Sequence, residues 1–435
     1  MRVLSEFKPP QPNSAVIWFC ELLLPLYVRV VEHLNFKFLK SPSDPLKFLK
    51  DKSTVIVMNH GDRQDPLVLI ALAKHMGEAF YCVVARECFD WSYGMLGWLF
   101  QKLGCYSINR GVADFRSVHT TREILTNSNK KLLVFPEAEI TGDEQKVHHF
   151  NRSFIHLLLE SQDSLAKKQS QESIWVLPVG VSYSLETPLE TSVSNTLRRV
   201  ERRLGIGIGI DHTVKSDANN RVLHAVDTVM QNLSKRYKSP LLEEQPRHEQ
   251  VRLMARHICE RISVFAQIEC EKPLSEEELL YFLRNHVLNV LSSKKGTTAS
   301  QQKLSRESAK AYHEFVSDLD RVERLLILHR ILKRKSTPIR VCRILDFLEA
   351  ETCGRMGPKG RQCATIFFGK PIEVLPYLQS YTSSKETGID ELSACIRDEL
   401  QAAFDSSHEA TISDNSHSSS RGLDTFGSSN SAGYQ

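Results

Sequence analysis

The sequence predicts an α/β fold in which a largely parallel sheet is flanked by helices. Between residues 45 and 185, short apolar runs with strand character alternate with segments that carry an apolar face at helical spacing. Strand–helix–strand alternation is typical of a parallel sheet with helical cover. The 435 residues also leave room for two or three domains at roughly 150 residues each.

The first predicted strand, residues 54–58 (TVIVM), is continuously apolar, as a strand covered on both faces would be. Later runs have the same character, and the segments between them are predicted to be helices. The predicted strands are 54–58, 80–85, 105–108, 131–135 and 174–181, and the predicted helices between them are 67–76, 95–103 and 115–125.

The composition changes after about residue 196, where charged residues are set among leucines and β-branched runs become rare. This pattern predicts amphipathic helices. A strand-like run at 365–374 could return to the sheet, which would make the helical part an insertion. The predicted helices are 222–235, 249–270, 275–291 and 309–332.

These changes predict five segments along the chain. The tail holds ten serines in 31 residues with little apolar bulk, which is typical of disorder. The segments are N-terminal amphipathic membrane-contacting helices at 1–44, an α/β domain at 45–195 plus 363–377, a helical insertion without an assigned role at 196–362, a C-terminal helix at 378–404 and a disordered Ser-rich tail at 405–435.

Charge and cysteine usage exclude several classes of protein. The 56 Lys and Arg residues against 52 Asp and Glu residues leave a net charge of only +4, too weak for a dedicated nucleic-acid binder. The ten cysteines form no Cys-x-x-Cys pair, which argues against a zinc site or a disulfide framework and favours a reducing compartment. The histidines lack metal-ligand spacing, so no metal is expected.

Residues 15–31 (AVIWFCELLLPLYVRVV) are apolar but interrupted by Glu21, Pro25 and Arg29. A membrane-spanning helix needs about 20 predominantly apolar residues, and Glu21 also splits the apolar core that a secretory signal requires. The segment is therefore predicted to lie on a membrane surface as an interfacial helix, or as a helical hairpin broken at Pro25. The basic, leucine-rich run 321–335 is a second candidate for membrane contact. For both segments the alternative is burial against the α/β domain.

The most informative local feature is His60 in the loop after the first predicted strand, with Asp65 five residues later at the start of a helix. A carboxylate at this spacing can hold one imidazole nitrogen and leave the other as a base near neutral pH. Asp65 followed by Pro66 is also an ordinary helix start, and His60 could bond to backbone. Spacing alone leaves both interpretations open.

Residues 59–65 (NHGDRQD) resemble the first signature of the glycerolipid acyltransferases, the superfamily that includes lysophosphatidic acid acyltransferase. Residues 104–111 (GCYSINRG) resemble the second signature, 135–137 (FPE) the start of the third and 176–179 (VLPV) the fourth. The run 368–372 (FGKPI) is similar to the segment that often closes this domain. Because all of these occur in family order, the resemblance implies an acyltransferase-type α/β fold.

The resemblance implies a role for each matched residue. His60 would take the proton of an acceptor hydroxyl while that oxygen attacks the thioester of acyl-CoA or acyl carrier protein, and Asp65 would hold His60. Arg110 would bind the acceptor phosphate, and Glu137 would shape the acceptor site. On residue type alone, Arg110 could be a surface arginine and Glu137 a capping carboxylate. The other implied substrate-binding residues are Asn109, Gly111, Pro136 and Pro178, the last beside the acyl site or simply in a core strand.

The implied function is transfer of a fatty acyl group to a lysophospholipid such as 1-acylglycerol-3-phosphate. The enzyme would be peripheral, on the cytoplasmic side of a membrane, with no cofactor besides the acyl thioester co-substrate. The alternatives are a glycerol-3-phosphate acyltransferase or phospholipid transacylase, and a catalytically weak lipid-binding scaffold with the same fold. The intact His60 and Asp65 argue against the scaffold.

The third signature departs from the family pattern. Ala138 and Ile140 stand where glycine and arginine are usual, and Glu139 adds a negative charge; Ser107 replaces a phenylalanine in the second. Ala138 is expected to keep an ordinary backbone, because only glycine readily adopts a positive φ. The loss of a cation at Ile140 predicts weaker binding of a phosphomonoester, which favours a diester head group or another lysolipid.

Overall fold

The computed structural model shows a mixed α/β fold, with a mostly parallel eight-stranded sheet flanked by helices among the described residues. The predicted fold class is thereby confirmed. The residues that the structure describes are 6–39, 45–127, 130–143, 146–168, 172–206, 217–240, 244–268, 273–293 and 299–420.

The sheet has the strand order β1-β7-β6-β2-β5-β3-β4, and β8 pairs with the start of β6. Strands β2 to β6 run parallel wherever they pair, whereas β7 runs antiparallel to β6. The carboxyl ends of β2, β4, β5 and β6 therefore meet at one edge, where parallel sheets usually bind ligands. The strands are β1 Leu34–Phe38, β2 Thr54–Met58, β3 Tyr81–Ala85, β4 Cys105–Ile108, β5 Lys131–Val134, β6 Trp175–Leu185, β7 Gln362–Phe368 and β8 Ile372–Glu373.

Helices cover both faces of the sheet and form a second layer between β6 and β7 along the chain. They are α1 Ser14–Val30, α2 Pro45–Leu49, α3 Asp65–Met76, α4 Met95–Lys102, α5 Phe115–Leu125, α6 Arg152–Lys167, α7 Leu189–Leu204, α8 Ala218–Tyr237, α9 Arg247–Ala266, α10 Glu276–Ser293, α11 Ala299–Leu332, α12 Pro338–Cys353, α13 Leu378–Ser383 and α14 Lys385–Ser420.

The helical layer, α7 to α12, has a hydrophobic core of its own. Val193 of α7 already belongs to this core, so the layer begins before the predicted residue 196. Leu325 and Leu328 of α11 are buried in it as well, so the leucine-rich side of the 321–335 run packs inside the layer. The apolar periodicity of these helices is explained by their packing on one another.

The N-terminal segment has one of its two predicted forms and differs from the prediction only at its end. Helix α1 is a single helix that passes through Pro25, although proline cannot donate a hydrogen bond to the carbonyl of Glu21. Lys74 Nζ of α3 donates to that carbonyl at 2.9 Å instead, which satisfies the group that proline leaves unpaired. Leu34–Phe38 is strand β1 instead of helix because its apolar and polar residues alternate, and it pairs with β7.

The C-terminal segment also extends beyond its predicted end. Residue 404 was the expected end of the helix, but α14 continues to Ser420. Leu392, Ile396, Leu400 and Phe404 are buried and anchor this helix, and elongation of an anchored helix gains one hydrogen bond for each further residue. The disordered tail predicted from residue 405 is therefore wrong up to Ser420. Residues 421–435 of that prediction lie outside the described residues.

No helix in the described parts of the chain is long and apolar enough to span a membrane.

Candidate active site

His60 and Asp65 are in direct contact at the carboxyl end of β2. His60 Nδ1 lies 2.6 Å from Asp65 Oδ2, and Asp65 is fully buried while 20% of the His60 side chain is exposed. A neutral imidazole that donates from Nδ1 to this carboxylate presents Nε2 as a base. The structure thus brings the predicted pair together in one hydrogen bond, and the role of His60 as a general base stays a prediction.

Two further groups hold the Asp65 carboxylate. The Tyr183 hydroxyl of β6 donates to Oδ1 at 2.6 Å, and the Asp62 N–H donates to Oδ2 at 3.1 Å. Burial and the neighbouring Asp65 raise the pKa of Tyr183 well above its usual range, so the hydroxyl stays a donor. Tyr183 was not predicted from the sequence, where it stands four residues after the fourth signature on the same strand.

The backbone of His60 is fixed from both sides by the loop after β5. Its N–H donates to Glu137 Oε2 at 2.8 Å, and its carbonyl accepts from the Thr141 N–H at 2.8 Å. Phe135 stacks on the imidazole, with ring centroids 4.3 Å apart. Glu137 Oε1 accepts from the His148 N–H at 2.8 Å, and burial raises the pKa of Glu137. The contacts of Glu137 are therefore to backbone; its contact with an acceptor stays a prediction.

Asn59 fixes the base of the His60 loop. Its Oδ1 accepts from the Val181 N–H at 2.8 Å, and its Nδ2 donates to the Val181 carbonyl at 3.0 Å. These two bonds continue the pairing of β2 with β6 beyond Met58 and Val179, the last paired residues of the ladder. The side chain thereby sets where the strand ends and His60 begins to turn away.

Arg110 lies in a cluster of charges that includes residues of the helical layer. It pairs with Glu87, donates to Glu323 at 3.0 Å and lies with its guanidinium 4.3 Å from the ring centroid of Tyr281. Arg284 of α10 donates to both of these glutamates at 2.9 Å. A phosphate that binds Arg110 must therefore compete with Glu87 and Glu323, so the predicted phosphate contact stays a prediction.

The charges in this cluster reinforce one another. Burial opposes ionisation of Arg110, but Glu323 and Glu87 raise its pKa well above the usual range. Burial likewise favours the neutral form of Glu323, yet Arg284 and Arg110 lower the pKa of that carboxyl to about 2. All four side chains are consequently charged near neutral pH.

The other predicted substrate-binding residues have structural contacts. Asn109 donates from Nδ2 to Asp114 at 2.8 Å, which ties the loop to the start of α5. Gly111 has φ +74°, and a Cβ there would lie 2.9 Å from Tyr281 Cβ, so only glycine fits. The Pro136 carbonyl accepts from the Asn151 N–H at 2.7 Å. Pro178 is buried in β6 opposite Val57. No contact of these four with an acceptor is established.

Ala138 was predicted to have an ordinary backbone with a negative φ, and this prediction is wrong. Its φ is +60°, the conformation that a glycine at this position would adopt freely. The turn is closed by the Ala138 N–H, which donates to the Phe135 carbonyl at 3.0 Å. Ala138 therefore adopts a backbone conformation that favours glycine, at the cost of local strain.

We expect Ala138→Gly to raise the free energy of unfolding by about 0.5–1 kcal/mol, because relief of roughly 1–2 kcal/mol of left-handed strain exceeds the entropy cost of glycine. Urea unfolding measures this change. Ala166→Gly, at an exposed position in α6, is the matched control and should destabilise by about 0.5–1 kcal/mol. Equal destabilisation by both substitutions would show that Ala138 is not strained.

A cation from the helical layer lies beside Glu139 and Ile140, the residues that resemble the third signature. Arg330 of α11 donates to the Ile140 carbonyl at 2.8 Å and pairs with Glu139. Burial raises the pKa of the Glu139 carboxyl, and the neighbouring Arg330 acts in the opposite direction. The negative charge that Glu139 adds to this loop is thus offset by Arg330. The sequence gives no sign of this role for Arg330, because Arg330 is 190 residues from Ile140 along the chain.

Further basic residues of the layer contact the same loops. Arg334 and Arg340 pair with the buried Asp143, and Arg343 pairs with Asp62. His148 Nε2 also lies 3.1 Å from Asp143 Oδ2. The described residues contain no group of three or more His, Cys, Asp or Glu side chains placed as metal ligands.

The family to which this site belongs follows from a comparison with known proteins. Residues 42–182, which include β2 to β5, most of β6 and the whole His60–Asp65 segment, match the acyltransferase family model. This region is similar to an acyltransferase domain. The match supports a general acyl-transfer activity, which is that of an enzyme. No curated protein matches the chain.

Proposed function

We propose that the protein transfers a fatty acyl group from an acyl thioester, acyl-CoA or acyl carrier protein, to the free hydroxyl of a lysophospholipid such as 1-acylglycerol-3-phosphate. The observation that carries the proposal is the His60–Asp65 pair, 2.6 Å apart at the carboxyl edge of the sheet. It supplies a base for a hydroxyl, which is too weak a nucleophile without one.

In the proposed reaction His60 Nε2 takes the proton of the acceptor hydroxyl as its oxygen attacks the thioester carbonyl. The ester C–O bond forms, the C–S bond breaks and the proton passes from His60 to the departing thiolate. Asp65 stabilises the imidazolium that exists between these steps. Tyr183 and the Asp62 N–H hold the carboxylate in place, so the pair needs little reorganisation during the reaction.

The charged groups near the site support a lysophospholipid as acceptor. Arg110 and Arg330 suit recognition of phosphate oxygens, but each is already paired with carboxylates. A phosphate must displace at least part of these pairs, so remote contacts with the acceptor must offset that loss. An acyl chain on the acceptor provides such contacts, whereas glycerol-3-phosphate has none.

The acceptor is tested with purified protein, labelled acyl-CoA and a panel of lysophospholipids that includes 1-acylglycerol-3-phosphate and a diester lysolipid, with glycerol-3-phosphate as the comparison. Ester product and free thiol should appear in equal amounts, and only with lysophospholipids. Turnover with glycerol-3-phosphate alone would contradict the proposed acceptor. The assay is repeated with acyl carrier protein thioesters and intact phospholipid as donors. If the protein binds lipid but turns over none of these donors, the lipid-binding scaffold is favoured.

We also propose that the enzyme works on the surface of a membrane, through α1 and a nearby aromatic turn. Helix α1 buries only Leu24 and Val28 and exposes Trp18 (63% of its surface) and Leu26 (65%). The chain before α1 is bonded to the end of α4, where the Asn13 N–H donates to the Lys102 carbonyl at 2.9 Å. Exposed tryptophans and leucines on one helix are typical of interfacial binding.

The aromatic turn at residues 92–95 is a second observation in favour of membrane contact. Ser92 and Tyr93 both have positive φ, and this backbone leaves Tyr93 fully exposed in front of α4. Met95 and Trp98 of α4 are exposed beside it. Left-handed conformations are costly for residues other than glycine, so a turn that uses two of them to expose an aromatic ring indicates a function for that ring.

We expect the triple change Trp18→Ser, Leu22→Ser and Leu26→Ser to reduce binding to phosphatidylglycerol–phosphatidylcholine vesicles at least tenfold, because about 0.8 kcal/mol is lost for each CH₂ no longer buried in lipid. Vesicle flotation measures this. The control is Val264→Ser with Phe265→Ser, which removes exposed apolar side chains from α9 of the helical layer. Equal loss of binding in both variants, or none in either, would contradict a membrane-binding α1.

A further inference from the structure

We propose that Arg343, in helix α12 of the helical layer, is a positioning residue for the His60–Asp65 pair, an inference that rests on the proposed role of His60. Arg343 lies 281 positions after Asp62, yet its Nε donates to Asp62 Oδ2 at 2.9 Å. Its Nη1 donates to the Gly142 carbonyl at 3.0 Å. Only 7% of the side chain is exposed, so the contacts are shielded from water.

The contact with Asp62 leads directly to the reacting pair. The Asp62 N–H donates to the same Asp65 oxygen that holds His60, and Asp62 Oδ1 accepts from the Gln64 N–H at 2.9 Å. Arg343 thus fixes the side chain of the residue whose backbone supports Asp65. The Asp62 carboxylate is itself nearly buried, and removal of its cation would leave a charge in a medium that disfavours it.

The contact with Gly142 fixes the second loop of the site. Gly142 follows Thr141, whose N–H donates to the His60 carbonyl at 2.8 Å. A Cβ at Gly142 would lie 2.8 Å from Ile331 Cγ1, so α11 packs directly on this loop. One guanidinium therefore connects the loop that carries His60 and Asp65 with the loop that holds the His60 backbone.

The ring of Tyr183 completes the arrangement. The Arg343 guanidinium carbon lies 5.7 Å from the Tyr183 ring centroid, and the Tyr183 hydroxyl donates to the other oxygen of Asp65. Arg343 thus lies near Asp62 and Tyr183, the two residues that donate to the Asp65 oxygens, and acts on Asp65 only through them. A planar guanidinium can donate to two loops at once, whereas the point charge of a lysine can serve them only in part. The helical layer, to which no role could be given from the sequence, thereby becomes part of the catalytic geometry.

The test compares Arg343→Met and Arg343→Lys in the full-length protein, with kcat and KM measured separately for acyl-CoA and the best acceptor. Because misplacement of a catalytic group by about 1 Å can cost 10²-fold, we expect Arg343→Met to lower kcat by about 10- to 100-fold. KM should change less than twofold, since Arg343 does not contact substrate. Arg343→Lys should recover part of the loss in kcat.

The matched control is Arg321→Met. Arg321 is an arginine of the same layer with 12% of its side chain exposed, and it donates to Glu351 at 2.7 Å and to Asp318 at 3.0 Å, away from the His60 loops. This variant should lose stability and keep kcat within twofold. Asp62→Asn removes the carboxylate that Arg343 holds, and it should lower kcat as Arg343→Met does; the double variant should be no worse than either single one.

The outcomes separate the two proposals. If His60→Ala is inactive while Arg343→Met and Asp62→Asn both keep full kcat, the positioning role is wrong and the proposed function stands. If His60→Ala also keeps its activity, the proposed mechanism itself is wrong. If Arg343→Met fails to fold by near-UV circular dichroism, Asp62→Asn alone decides. An equal loss of kcat in Arg321→Met would also overturn the inference, because it would reveal general destabilisation.

Discussion

Replacement of His60 by alanine should lower kcat by about 10²- to 10⁴-fold, the range that a positioned general base contributes. The imidazole is the group that Asp65 holds at 2.6 Å, with its ring stacked on Phe135. The side chain is one-fifth exposed, and its bond to Asp65 joins residues only five positions apart, so the fold should survive. Steady-state ester formation and circular dichroism measure the two effects.

His156→Ala is the matched control for this prediction. His156 lies in α6 and is also partly buried, and its Nδ1 is 3.0 Å from the Tyr381 hydroxyl, so its loss removes one imidazole and one hydrogen bond. We expect its kcat to stay within twofold of the unchanged protein. Full activity of His60→Ala, measured with pure protein, would exclude His60 as the base and require another activator of the hydroxyl.

The parts of the site that the sequence predicts are those encoded within a few residues. The apolar run of β2, the polar loop after it and the five-residue spacing of His60 and Asp65 are local, and the structure has all of them. The strand ends are likewise set by local patterns of apolar residues. Local patterning is therefore enough to predict the sheet edge at which the pair lies.

The supports of the pair could not be predicted in the same way. Tyr183 is 118 residues from Asp65, and Arg343 is 281 residues from Asp62, and no periodicity connects positions so far apart. Their roles depend on how the helical layer packs on the sheet, which the amphipathic pattern of each helix does not specify. The basic residues of α11 and α12 look in sequence like an ordinary solvated helix face.

Tertiary contacts override a local rule at two positions. Proline often breaks a helix, and a hairpin broken at Pro25 was one of the two predicted alternatives, but Lys74 satisfies the carbonyl that Pro25 cannot bond. Alanine was expected to avoid a positive φ at residue 138, but the loop that holds His60 imposes it. The second exception lies at the site itself, where strain is most often found.

Asp65→Asn should also lower kcat by about 10²- to 10⁴-fold, although the new side chain has nearly the same shape. Both carboxylate oxygens of Asp65 accept: Oδ1 from the Tyr183 hydroxyl, and Oδ2 from the Asp62 N–H as well as His60. An asparagine offers only one oxygen. If its amide faces His60, it donates to Nδ1 and opposes the Asp62 N–H, and the proton moves to Nε2, which is then no longer a base.

If the amide instead faces Tyr183, the oxygen can still accept from His60 Nδ1, but no negative charge remains to stabilise the imidazolium. Either orientation lowers kcat, and ¹⁵N chemical shifts of the His60 ring show which tautomer is present. Tyr183→Phe is the companion variant, because it keeps the carboxylate and removes one of its donors, and its kcat should fall no more than about tenfold. An Asp65→Asn enzyme with unchanged kcat would mean that the carboxylate only begins α3, and that His60 acts without a charged partner.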